Sequence, residues 1–311
     1  SSDLLERTDR IVAVMGVEPV RAALRAGADV IICGRTCDVA IFAAPLLERG
    51  HSPADAYFAG KALECASFCA EPFASKETVL GRVADDGVYL TAMAAHQRCT
   101  PISVAAHAMY ERANPYREYV PGGYLDMTHC AYEEVDAKTT RVTGQRFVED
   151  PVLRIKLEGA GKVGERRIMI VGLRDPYTIA NLGEVLRLAR ARVATLFGPP
   201  EDRYVLHYHR YGMDGVMGEL EPAPCLDPQE MCIIADVIAQ DGDLADHICH
   251  IAGKAILQAR LPEVKGTAGT AAIFSDEVMR PQPAYEWTMN HLIDVDRGDA
   301  FCSTRFETVG G

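Results

Sequence analysis

The chain lacks any apolar run long enough to cross a bilayer. Its opening, Ser1-Ser2-Asp3, is neither basic nor apolar enough for a secretory signal. Internal repeats and low-complexity tracts are missing too. Positive charge is in short supply: 32 Lys and Arg stand against 44 Asp and Glu, a net charge of −12, which argues against nucleic acid or an anionic membrane as partner. Cysteine is present ten times, but without CxxC spacing or a disulfide framework. Cys33 and Cys37, like Cys65 and Cys69, are separated by three residues, which is not the spacing of a zinc or redox pair. These absences point to a cytoplasmic protein with reduced thiols.

What is present is an ordinary globular balance, 48% hydrophobic and 24% charged residues over 311 positions. That length exceeds one usual core and predicts two parts, 1–112 and 113–311. The organising stretch is 27–49, GADVIICGRTCDVAIFAAPLLER. Its apolar, β-branched run at 30–33 reads as a strand buried on both faces of a parallel sheet. Gly34 breaks it, Arg35-Thr36-Cys37 forms a polar loop, and Asp38 sits where a helix N-cap belongs. Ligands of open α/β sheets bind at strand carboxyl ends beside helix N-termini, so Arg35, Thr36 and Asp38 become candidate site residues. The plainer alternative is an Arg–Asp pair that ties a tight loop. Cys37, near that helix start and beside Arg35, is expected to have a lowered pKa.

Around this stretch, 11–15 reads as a strand and 20–26 as a short crossover helix. A helix runs from 53 to about 70, with Glu64 as the acid in its middle, and Asp85-Asp86-Gly87 turns a hairpin. A polar loop carrying His96 and Arg98 precedes a helix at 103–112 that carries His107. Further strands are expected at 124–130, 141–147, 152–157 and 166–173, with 158–162 as a hairpin loop. Helices at 182–197 and 244–259 and strands at 204–211, 231–238 and 285–295 complete the reading. The fold class is thus α/β: a partial doubly wound parallel sheet in the N-terminal part, and an α+β antiparallel sheet with helices in the C-terminal part. His207 and His209 alternate along a strand and so share a face, but no third metal ligand is signalled nearby. Two half-exposed strand histidines explain them more simply.

Several blocks together resemble one family. They are GADVIICGRTCDVAIFAAPL, the LECASF segment at 63–68, HRYGMDGVMG at 209–218, GTAGTAAIFS at 266–275, and a closing strand at 285–295 containing His291-Leu292. This pattern is similar to that of the acyclic terpene utilization AtuA-like family. The resemblance implies degradation of branched acyclic carboxylic acids, often as acyl-CoA thioesters. The family's Gly-rich opening segment has no counterpart before Ser1, so the resemblance implies a start near the family's middle. It also departs at His96-Gln97-Arg98-Cys99, where the family has a Gly-rich loop.

The function expected is a catabolic lyase of hydratase type on a small carboxylic acid or its CoA thioester. Arg35, Thr36 and Arg98 would bind the substrate. Asp38 or Glu64 would move the proton, with His96 or His107 as partner. No cofactor is expected, and a divalent metal stays open through His207 and His209. The expected partners are the small carboxylate or acyl-CoA, and either further copies of the chain or a second polypeptide. Two readings stand beside this one: a non-catalytic subunit of a larger complex, and a metal-dependent hydrolase.

Overall fold

A computed structural model describes residues 2–73, 76–200, 203–223, 227–266 and 269–309. The chain divides into two compact units. The first comprises 10–159 and 289–311, the second 1–9 and 160–288. The expected cut at 112 falls inside the first unit.

The short helix α1 (Ser2–Glu6) belongs to the second unit. The first unit begins with β1 (Arg10–Val14), α2 (Glu18–Arg25), α3 (Asp38–Glu48) and α4 (Pro53–Leu63). The Ser52 hydroxyl accepts the Asp55 N–H at 3.1 Å, and Pro53 follows it in the first turn, which fixes the start of α4. Helices α3 and α4 cross closely at Gly60, where a Cβ would stand 2.6 Å from the Val39 carbonyl oxygen, so only glycine fits there. Next come β2 (Val79–Ala84) and β3 (Gly87–Ala92), the expected hairpin, then α5 (Pro101–Met109), held by a Thr100–Ser103 capping box. Strands β4 (Arg117–Val120), β5 (Gly123–Asp126), β6 (Ala131–Asp136), β7 (Thr139–Thr143) and β8 (Arg146–Glu149) follow. They build two antiparallel sheets, ordered β2-β3-β7-β6 and β4-β5-β8. The core packs Val39, Phe58, Val88, Leu90, Val104 and Leu125, all at most 1% exposed.

The long strand β9 (Arg154–Leu173) carries the chain from the first unit into the second. The second unit continues with α6 (Pro176–Ala180), α7 (Leu182–Phe197), β10 (Tyr204–Tyr211), β11 (Met231–Ala239), α8 (Gly242–Gln258) and β12 (Ala271–Ile273). It also holds the first part of β13 (Ala284–Asp294), up to Thr288, while the rest of that strand belongs to the first unit. Here β11 pairs antiparallel with both β9 and β10, leaving β10 at the edge. Helices α7 and α8 contribute Val185, Ala189, Val193, Ile248, Ala252 and Ile256 to a core with Met169, Ile233 and Val237 from the strands. That is the α+β antiparallel part read from the sequence.

Two expectations need correction. Residues 30–33 form no strand, and a single parallel bridge, Met15–Thr36, stands where the parallel sheet was expected. Val30 and Ile32 are 78% and 93% exposed, while Ile31 and Cys33 pack on the core, so the run is an extended, one-sided segment. The second correction concerns 158–162, which continues β9 instead of turning. A glycine-rich, charged stretch resembles a loop locally, but the core-facing residues on either side keep it extended: Gly161 lies so close to the Arg7 carbonyl that no Cβ fits. The nine described cysteines are free thiols, and Cys225 lies outside the described residues.

Candidate functional site

The first unit buries an unusual number of ionisable groups in one place. Lys61 points from the last turn of α4 and is only 4% exposed. Its ammonium bonds Glu64 and lies 3.5 Å from Glu118 on β4. Arg112 reaches the same Glu118 carboxylate at 2.5 Å. Two carboxylates thus share two cations, with Lys61 also 5.3 Å from the centre of the Tyr110 ring. Buried charges persist only where they are paired in this way.

His107 stands beside this group, 5.3 Å from the Tyr110 ring and 6.0 Å from that of Phe68. Neither of its ring nitrogens has a hydrogen bond of good geometry, although they face the Lys61 and Ala62 carbonyls. Burial, reinforced by the Lys61 charge, pushes its pKa down to about 4, so the ring is neutral near pH 7. Glu64 moves the other way. Burial raises its carboxyl, with Glu118 and Asp38 adding repulsion and Lys61 opposing. A carboxyl that holds its proton more readily than an exposed one suits proton transfer.

The start of α3 faces the same group. Cys37 feels the charges of Glu118, Glu64 and Asp38, and burial raises its thiol to about 11. The expected activation of Cys37 is therefore reversed: desolvation outweighs the helix start and the nearby guanidinium. Asp38, with its side chain 72% exposed, and the exposed Cys65 form the solvent side of the cluster.

Arg35 is engaged elsewhere. Its Nε donates to Glu158 Oε2 at 2.8 Å and its Nη2 to Oε1 at 3.4 Å, with Asp38 at 3.6 Å. Arg35 and Lys156 together hold Glu158 down to about 2. Thr36 is buried, its hydroxyl donating to the Gly34 carbonyl at 3.0 Å. The structure thus brings Asp38, Glu64 and His107 to one cluster and gives Arg35 a protein carboxylate as partner. Arg98 pairs with Glu71 at 3.3 Å across an antiparallel bridge, and His96 is exposed in the preceding loop.

In the second unit, His207 and His209 share a face of β10 as read, their rings 4.4 Å apart. His209 Nε2 lies 3.0 Å from Asp236, which Arg166 also grips through two bonds. Among the described residues no group of three His, Cys, Asp or Glu is placed to hold a metal ion. Thr267 and Ala268 of the 266–275 block lie outside the described residues.

Sequence reading missed Lys61, Arg112, Tyr110 and Glu118. Lys61 did leave a signal, being a lone cation inside the apolar helix AYFAGKALECA. Arg112 and Glu118 flank a Pro-containing loop that offers none. Neither the curated proteins nor the solved structures contain a match to this chain. The model of the family described as acyclic terpene utilisation family protein AtuA matches residues 1–293, and the chain belongs to that family.

Proposed function

We propose that this chain is a catabolic enzyme of the lyase type, a hydratase, acting on a small branched or acyclic carboxylic acid or its CoA thioester. Membership in the acyclic terpene utilisation family supplies the pathway class. The observation that carries the reaction is the raised, mostly buried Glu64 set between Lys61 and the solvent-facing Asp38. In dehydration Glu64 takes the proton from the carbon next to the carbonyl and passes it to the 3-hydroxyl as that C–O bond breaks and water leaves, and hydration reverses both transfers. Lys61 and Arg112 stabilise negative charge that develops on the substrate oxygen. His107, held neutral, offers one ring N–H as a hydrogen-bond donor and one ring nitrogen that accepts a hydrogen bond or a proton. Arg35, Thr36 and Arg98 are proposed substrate contacts, and Arg35 must exchange Glu158 for the substrate to serve so. No resident cofactor enters this proposal.

Assembly with further copies of the chain or a second polypeptide is part of the same proposal, and sedimentation velocity of the purified protein tests it. The experiment for the reaction is Glu64→Gln, assayed on candidate 3-hydroxyacyl and enoyl thioesters and the free acids. Turnover per folded molecule should fall about a hundredfold or more, and the thermal midpoint should fall as well because the buried Lys61 loses a carboxylate partner. A second reading rests on the complete pairing of the same cluster: four charges that neutralise one another also suit a scaffold. Under that reading the protein turns over none of these compounds and Glu64→Gln changes stability alone.

A further inference from the structure

The second unit carries a cavity of about 730 Å3 beside the free edge of β10. Arg190 and Leu186 of α7, His207 and Arg210 of β10, and Val216 and Met217 of the turn that follows β10 line it. The turn that brings these last two into place is closely built. A Cβ on Gly215 would stand 2.7 Å from the Tyr211 nitrogen, and Gly212 and Gly218 take φ of +99° and +57°. A turn that packs this tightly on the strand edge is a fixed wall.

Two of the three arginines that line this cavity are held by carboxylates. Arg187 is held by Glu184 at 2.7 and 2.6 Å, and Arg210 by Asp214. Arg190 instead donates to the neutral Leu206 carbonyl at 2.6 Å and lies over the Tyr208 ring at 4.9 Å. Among the described residues no carboxylate pairs with it. These two contacts hold the guanidinium plane and leave most of its five N–H groups for a ligand. Val216 and Met217, which line the same cavity, are 83% and 49% exposed and belong to neither core.

We propose that this cavity binds a small aliphatic carboxylate, with the carboxylate on the fork of Arg190 and the hydrocarbon chain against Leu186, Val216 and Met217. One uncompensated guanidinium matches one carboxylate. A phosphate would bring a second negative charge to a rim that already carries Glu219. His207 lies near enough to feel the charges of Arg190 and Arg210, so its ring reports occupancy. The proposal uses no group of the Glu64 cluster and does not depend on the reaction assigned there.

The test is titration of the full chain with 3-methylbutanoate, followed by calorimetry and by the His207 ring-proton signals. The uncharged 3-methylbutan-1-ol and inorganic phosphate serve as comparison probes. Saturable binding of the acid that shifts His207 is expected, with the alcohol and phosphate each at least about tenfold weaker. Arg190→Gln should weaken the acid at least about tenfold and Arg190→Lys less, because an ammonium cannot make the two-point bond. Val216→Asp, at a position too exposed to matter for folding, should weaken it similarly by repulsion. Glu64→Gln should bind the acid as the unaltered chain does, which separates this proposal from the hydratase reading. Absent binding, equal affinity for the alcohol, stronger binding of phosphate, or undiminished binding by both Arg190→Gln and Val216→Asp would each overturn it.

Discussion

The two units treat charge in opposite ways. In the first, Lys61, Glu64, Arg112 and Glu118 are withdrawn from water and paired with one another. In the second, Arg190 faces an open cavity, held among the described residues by a carbonyl and an aromatic ring and by no carboxylate. A withdrawn, neutralised cluster shifts pKa values and excludes water, which serves proton transfer. An open cation with no carboxylate partner attracts a counter-ion, which serves binding. The proposed proton transfer and the proposed carboxylate binding therefore rest on separate groups of residues.

The largest effect expected from breaking this contrast comes at Lys61. Lys61→Met removes one cation from a buried set and leaves Glu64 and Glu118 with Arg112 alone. Breaking a buried pair by one partner costs roughly 3–5 kcal/mol, a fall of roughly 10 °C in the thermal midpoint for a protein of this size. Arg190→Gln, the matching removal from the open cavity, should change stability by about 0.5 kcal/mol or less. Urea denaturation of both variants measures the difference. Equal losses would mean that Arg190 is a structural residue and the contrast is false.

A somewhat smaller effect belongs to His107. Its folded pKa of about 4 lies below the ordinary 6.5, so above pH 6.5 both folded and unfolded states are neutral there. As pH falls from 6.5 towards 4 the unfolded chain takes up a proton that the folded one refuses, and stability drops by roughly 3 kcal/mol across that window. His107→Phe, among the rings of Phe68 and Tyr110, should flatten this part of the stability–pH curve. An unchanged slope between pH 6.5 and 4 in the variant would place the acid-sensitive group elsewhere.

Most of the second unit was legible in the sequence, because α7, β10, β11 and α8 each bury one regular face and carry clear ends. The stretch at 27–49 was legible only in half. The helix α3 was found, but Val30-Ile31-Ile32-Cys33 has the composition of a strand buried on both faces while packing only Ile31 and Cys33. Alternate burial of an all-apolar run leaves no trace in periodicity. The candidate site was half legible for a different reason. Asp38, Glu64 and His107 stand out locally, whereas Glu118, which pairs with both Lys61 and Arg112, reaches Lys61 only through the chain's return on β4, more than 50 residues later. Arg35 was seen, and its partner Glu158, 123 residues away, was not.

That pair yields the smallest effect and the sharpest reading of what Arg35 does. Arg35 is partly exposed, its side chain at 42%, while Glu158 is at 7%. Arg35→Lys keeps the charge and loses the two-point bond, so the cost should be about 1 kcal/mol, or roughly 2–4 °C. The sign with pH follows from Glu158, whose folded pKa of about 2 lies below the ordinary 4.5. Its contribution is fully present above pH 4.5 and is lost as pH falls towards 2, because the unfolded carboxyl protonates first. The Lys variant should therefore match the unaltered chain more closely at pH 2 than at pH 7. If Arg35 also binds substrate, the variant loses affinity at pH 7 beyond what the stability change explains, since the incoming carboxylate meets an ammonium in place of a fork. Full retention of affinity with a lowered midpoint would leave Arg35 as the tie between the 34–38 loop and β9, and would move the substrate carboxylate to another cation.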